Sequence, residues 1–300
     1  MPTLDGGEGY ASNGGKVSDN NVIINGGRGW CSFYGGYMIC NAENSGTVSG
    51  NIVDVSNIDF TYGASYEEIG NTSYRLYCGG FATGSGNYVV SDNEVLIKSG
   101  NHIGYIYGGF SSSGSIKNNS VIISGGGYIC VRIYGGSTYN GEVKNNNVEI
   151  NGGSLGVRNI YGGYANKGIV SENVVTYKGG MISNWAAYTY GTMPGNCDIY
   201  GGYVEYPDQG ITNNNVVNIE KYFTPNNNFS CDGINIYGGN GTSSAGNTLN
   251  IKDKINGIHS INKFQIMNFT FPMGVAAGDV ILSANIVNFD NTTINVSGVT

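Results

Sequence analysis

Cleaving a glycosidic bond needs two carboxylates about 5–9 Å apart on one face. This chain has only 21 Asp and Glu residues among 300 to supply them. The candidate acids are Glu67 and Glu68, and the group Asp198, Glu205 and Asp208. Asp198 stands two residues before Tyr200, and Asp208 follows Pro207 in a turn-like stretch. Their plainer reading is solvated loop acids. The two histidines, His102 and His259, have no other catalytic residue type beside them in the sequence. No local Ser/His/Asp or Cys/His signature is present. The cysteines Cys31, Cys40, Cys78, Cys130, Cys197 and Cys231 fit neither a zinc spacing nor a C-x-x-C pair. They read first as small buried hydrophobes, with a disulfide framework as the sharper alternative. Asp5-Gly6-Gly7-Glu8-Gly9 resembles a calcium-binding nonapeptide only loosely, because the Asp is misplaced and the unit has no tandem copies. A phosphate loop is absent as well. The expectation is therefore no catalytic residue, no metal and no cofactor.

The aromatic residues are more regular than the acids. Tyr34, Tyr107, Tyr134, Tyr161, Tyr200 and Tyr237 all hold the place just before a Gly-Gly pair. A second set, Tyr37, Phe81, Phe110, Tyr164 and Tyr203, directly follows such a pair. If the first set faces outward, it makes a ladder on one flat sheet. Such a face could stack on sugar rings or pack on a partner. Tyr107, Tyr134, Tyr161, Tyr200 and Tyr237 are thus the candidate binding face. The plainer reading is an aromatic ladder that only stabilises the stack.

The elements that must position these rings follow from the repeat. Ile-Tyr-Gly-Gly stands intact at Ile106–Gly109, Ile133–Gly136, Ile160–Gly163, Ile199–Gly202 and Ile236–Gly239, with variants at Phe33–Gly36 and Tyr77–Gly80. From Gly108 to Gly135 to Gly162 the step is 27 residues. A second half-motif follows each pair: a β-branched residue, then Asn three positions on, then two alternating aliphatics. Val143/Asn146/Val148/Ile150 is one copy; the copy at Ile211/Asn215 reads as carrying one extra residue. Self-similarity at this period marks a repeat architecture.

Composition fits that reading. Glycine accounts for 51 residues, about 17% against a usual ~7%, without the third-residue period of collagen. Charged residues are 12% and hydrophobic residues 40%, enough to bury a core. Net charge is −7, and the 14 basic residues form no run, which argues against nucleic acid as a partner. No apolar stretch is long enough for a membrane helix. The first twenty residues lack a basic start and an apolar core, so no export signal is read there. The chain reads as cytosolic or as an internal piece of a longer secreted protein.

Gly, Asn, Ser, Thr, Val, Ile and Tyr disfavour helix. The alternating pairs read as short strands, and Gly-Gly and Asn-Asn as turns that tolerate φ > 0. The predicted fold is all-β: a parallel β-helix of about eight to ten coils, with strands about 4.8 Å apart. Residues 1–252 form the repeat solenoid, and 253–300 form degenerate terminal coils with a capping end. Asn93, Asn119, Asn146 and Asn173 form a buried amide ladder. In Ile-Tyr-Gly-Gly the Ile points in and the Tyr out, and the glycines allow a corner with close coil-to-coil approach. Extra residues around 60–74, 185–196 and 222–231 are loops leaving one side of the rod.

The phrase Ile-Tyr-Gly-Gly-Tyr, followed by Gly-x-Val-x-x-Asn-x-Val-x-Ile-x-Gly-Gly, resembles the passenger repeats of bacterial autotransporter and adhesin-type surface proteins. Ile261-Asn262-Lys263-Phe264, Met267-Asn268-Phe269, Pro272 and Gly278-Asp279 resemble the stretch that follows such repeats. The resemblance covers nearly the whole chain. It implies a right-handed, extracellular solenoid on the cell surface, with the export signal and membrane barrel of such proteins outside these residues. The expected function is noncatalytic, an adhesin or stalk meeting a glycan or a host or bacterial surface ligand. No membrane insertion is expected of this segment. The alternative is a carbohydrate-active β-helix enzyme, a hydrolase or lyase.

Overall fold

A strand whose side chains alternate, repeated every 27 residues or so, can bury its apolar side only against other turns of the same chain. The computed structural model shows that solution, a parallel β-solenoid. It describes the whole chain except residues 1–2, 12–14, 29–30, 41–44, 60–74, 103, 130–131, 185–196, 224–232, 272–273 and 299–300. Among the described residues the only helical piece is a 3-10 turn at Pro207–Gln209. All pairing between successive copies is parallel; Val121 pairs with Val148, and Val148 with Val175.

Each coil has two long walls. The first contains the Ile-Tyr-Gly-Gly strands, among them Tyr105–Ser111, Arg132–Lys144, Asn159–Ser171 and Cys197–Val204. In the sheet it runs through ten strands, from Thr3–Ala11 to Leu282–Val287. The second contains the Val-x-Ile strands, such as Ser120–Ile123, Asn147–Ile150 and Val174–Tyr177. A shorter side, Ser154–Val157 on Met181–Asn184, follows the second Gly-Gly pair. Leu155, Val157 and Ile182 on it are buried, so the glycines that the sequence predicts as a turn lead into a further strand.

The core is split in two. Ile106, Ile133 and Ile160 meet the Val-x-Ile wall in a large lobe. Ala82, Ala165 and Val204 meet Val90, Ile116, Val143 and Val170 in a small one. Between the lobes run the column asparagines, so the coil is pinched at a polar waist.

Two expectations need correction. The copy near Ile211 has no extra residue. Ile211 pairs with the outward Ile169, and Thr212 takes the inward place of Val170, buried beneath a hydrogen bond to Ser244. Residues 253–300 continue both sheets as further coils, with Ile294 and Val296 on the last strand 48% and 53% exposed. The glycine pair does two jobs instead of one. A Cβ on Gly135 would lie 2.4 Å from the Gly162 carbonyl in the next coil, the close approach expected; one on Gly136 would lie 2.6 Å from Asn146 Cγ across the same coil. The second glycine therefore makes room for the amide column, bending the wall inward at the waist. The three insertions fall mainly on residues outside those described.

Candidate functional site

The amide column is complete. Asn119 donates from both its backbone N–H and Nδ2 to Asn146 Oδ1, at 3.0 and 2.9 Å. Its Nδ2 also donates to the Val90 carbonyl at 3.0 Å. The same bonds link Asn20, Asn51, Asn93, Asn119, Asn146, Asn173, Asn215 and Asn247 in series, closing on Gln265. From Asn51 to Asn247 every member is fully buried. The residue before each column Asn sits at positive φ, as at Asn118, Asn145 and Glu172. That left-handed step turns the chain into the waist.

On the other side of the bent wall lie the aromatics. Tyr107, Tyr134, Tyr161, Tyr200 and Tyr237 stand in register, and successive rings stack at 4.6–5.4 Å with interplanar angles of 3–15°. Cys78 replaces the ring between Tyr34 and Tyr107. In that coil the large ring is inside instead, where Tyr77 packs against Phe33. The second set stacks likewise, Tyr37 on Phe81 on Phe110, then Tyr164 on Tyr203. The break between Phe110 and Tyr164 is at Ser137.

The tyrosines do face outward, away from the large core, but they do not form an open flat sheet. The bend at the glycines brings the second file onto the first. Tyr134 meets Tyr164 edge-on at 5.4 Å, and Tyr200 meets Tyr203 at 4.8 Å. As a result Tyr134 and Tyr161 are only 4% and 5% exposed. Burial pushes both hydroxyls above the usual tyrosine range, Tyr161 further than Tyr134, where Arg132 works against it. Arg132, two residues before Tyr134, hydrogen-bonds its hydroxyl.

The acids are divided by these files. Asp198 lies beyond the first one, half-buried, accepting from Asn235 Nδ2 at 2.8 Å and from the Tyr200 hydroxyl at 3.5 Å. Burial pushes its carboxyl up, against the hydrogen bonds and the Arg158 charge, which favour the anion. Glu205 lies beyond the second file, accepting from the Tyr164 hydroxyl at 3.0 Å. Two rows of rings thus separate the two carboxylates. Asp208 is exposed in the 3-10 turn. Glu67 and Glu68 lie outside the described residues, as does the side chain of Asp5.

His102 does have a neighbour the sequence did not suggest. It is fully buried, with Nδ1 3.3 Å from the Tyr77 hydroxyl and Nε2 2.9 Å from the Ser99 carbonyl. Burial pushes its imidazole down, so it sits as a neutral structural group. Cys31 and Cys78 carry free thiols, and Cys197 is buried in the large core. Among the described residues no cluster of His, Cys, Asp or Glu could hold a metal ion.

A further ladder runs along the Val-x-Ile wall. Asn218 Nδ2 donates to Thr176 Oγ1, Asn250 to Asn218, Asn268 to Asn250 and Asn295 to Asn268, at 2.7–3.0 Å. Its sequence signal was an Asn between the two inward aliphatics of the last four coils.

Comparison with known proteins finds no family, no curated protein and no solved structure that matches this chain. No helix among the described residues is long and apolar enough to cross a membrane.

Proposed function

We propose that this chain is a noncatalytic β-solenoid segment of a secreted bacterial surface protein, serving in adhesion or as a stalk. The observation that supports it most is the placement of the polar and aromatic side chains in continuous ladders along the rod. An unbroken amide column inside and stacked rings outside couple each coil to the next. Such an arrangement stiffens an extended body and repeats one surface along it. The ligand class in this reading is a surface glycan, and the setting is extracellular.

The enzyme reading, a polysaccharide hydrolase or lyase, keeps one observation in its favour. Asp198 is half-buried with its carboxyl pushed up, the condition of a general acid. Against it stands the pair of ring files between Asp198 and Glu205.

The test is a panel of xylan, mixed-linkage β-glucan, glucomannan and galactan, scored for both retardation in affinity gels and release of reducing ends. Retardation without release supports adhesion, and neither supports a stalk. Release abolished by Asp198→Ala and by Glu205→Ala in folded protein would replace the proposal with the enzyme.

A further inference from the structure

A sugar ring stacks on the face of an aromatic side chain, not on its edge, because its C–H bonds meet the negative π surface there. The two files spend their faces on each other. Tyr107 and Tyr134 are 4.6 Å apart and 3° from parallel, and Tyr164 and Tyr203 are 5.5 Å apart and 11° from parallel. Rings inside the files therefore offer solvent only their edges. A platform must come from the end of a file, where Tyr237 has Asn262 beside it in the next coil, or from a ring turned out of the files.

Tyr139 is such a ring. At Ser137 the second file lacks an aromatic side chain. Tyr139, two residues on, packs edge-to-face on Phe110 at 5.3 Å and 84°. It stands across the file direction and is 55% exposed, while Ser137 near it is buried. The other exposed tyrosine near the files, Tyr206, already carries Lys167 Nζ over its face at 5.5 Å. Hydrogen-bonding groups lie beside Tyr139. The register of the neighbouring coil places Asn166 next to it, since Thr138 pairs with Ala165 and Asn140 with Lys167. One coil further, Tyr206 N–H bonds the Asn166 carbonyl, which brings Glu205 alongside.

We infer that Tyr139, with Asn166 one coil on and Glu205 a further coil on in the same file, is a local saccharide platform: a pyranose ring of a neutral polysaccharide stacks on Tyr139 while its hydroxyls bond the Asn166 amide, and the next sugar of the chain reaches the carboxylate. This rests on the adhesive reading above and narrows it from the whole aromatic row to one ring beside it. A neutral sugar is favoured over an acidic one because Glu205 would repel a uronate.

The experiment uses the full chain in affinity gels containing xylan, mixed-linkage β-glucan, glucomannan or galactan. It compares wild type, Tyr139→Ala, Tyr139→Phe and Asn166→Ala, each checked for folding by circular dichroism. The expected result is retardation by at least one polysaccharide, weakened about tenfold or more by Tyr139→Ala, kept by Tyr139→Phe, and reduced by Asn166→Ala. Binding that survives Tyr139→Ala overturns the platform and leaves the adhesive reading standing. If wild type is retarded by none of the four, the platform is again overturned; adhesion of protein-coated beads to cell surfaces then decides the adhesive reading separately.

Discussion

The two sides of one bent wall, the amide column within and the aromatic files without, repeat in the same register but tolerate change very differently. Asn holds every place in the column from Asn20 to Asn247. The first file accepts Cys78, and the second accepts Phe110 or Ser137. The difference lies in what each position must supply. A column member needs one acceptor for two donors above it and donors for a carbonyl behind it, all out of reach of water. An amide of that length is the side chain that fits. A file member needs only area and a ring face, and a neighbour can lean in where one is missing, as Tyr139 does.

The contrast breaks first at Asn146. Asn146→Ala leaves the Asn119 N–H and Nδ2 without their acceptor in a dry site, at a cost of about 3 kcal/mol. Gly136→Ala should also be costly, because its Cβ would fall 2.6 Å from Asn146 Cγ. The double variant should cost clearly less than the two single effects added, since removing the amide frees the space that the new methyl needs. Denaturant midpoints of the four proteins measure this. Strict additivity would mean that the glycine and the amide do not share the waist.

How much of this could be read beforehand follows from distance along the chain. The Asn column and the outward Tyr were legible because like residues stack at a constant period, and stacking needs no knowledge of the coil's cross-section. The bend was not legible. Gly136 is constrained by Asn146, ten residues away on the opposite wall, and only the folded cross-section shows that they meet. The same ignorance made the tyrosine face look flat and open, when Tyr164 and Tyr203 fold onto it. The inward place of Thr212 is not legible either, because its neighbour Ile211 is the more apolar residue and only the register puts Thr212 on Val170. Asp198 and Glu205 were named as candidates, but nothing in their spacing showed that two ring files divide them.

A smaller effect is expected on the outer side. Tyr134→Ala removes a ring that is almost wholly covered, yet Tyr164 stands edge-on beside the gap and can settle into it. The expected loss is about 2 kcal/mol, below the 3–5 kcal/mol of a rigid aromatic core site. Tyr134→Phe keeps the stack and removes only the hydroxyl, which bonds Arg132 and the Tyr107 hydroxyl, about 1 kcal/mol. Thermal melts of both variants rank them against Asn146→Ala. A loss from Tyr134→Ala as large as that from Asn146→Ala would erase the distinction between the two sides of the wall.

The smallest effect sharpens the comparison at its polar margin, where Asp198 flanks the first file. Its carboxyl is pushed up by burial, so in the folded protein it holds its proton to higher pH than in the unfolded chain. Between the unfolded and folded values the folded state binds more protons, and stability falls as pH rises through that window. The contribution is complete below the unfolded value and lost above the folded one. Asp198→Asn keeps an oxygen that can accept from Asn235 Nδ2 and removes the charge. The variant should therefore unfold at a higher midpoint than wild type at pH 7. The gain should shrink as pH falls and vanish by about pH 3, where the wild-type carboxyl is protonated in both states. Urea midpoints at those two pH values measure the difference. An Asp198→Asn variant that is less stable at pH 7 would show that the anion itself is held there by the Tyr200 and Asn235 bonds. In that case the margin of the file, like the column inside, would depend on one specific hydrogen-bonding group.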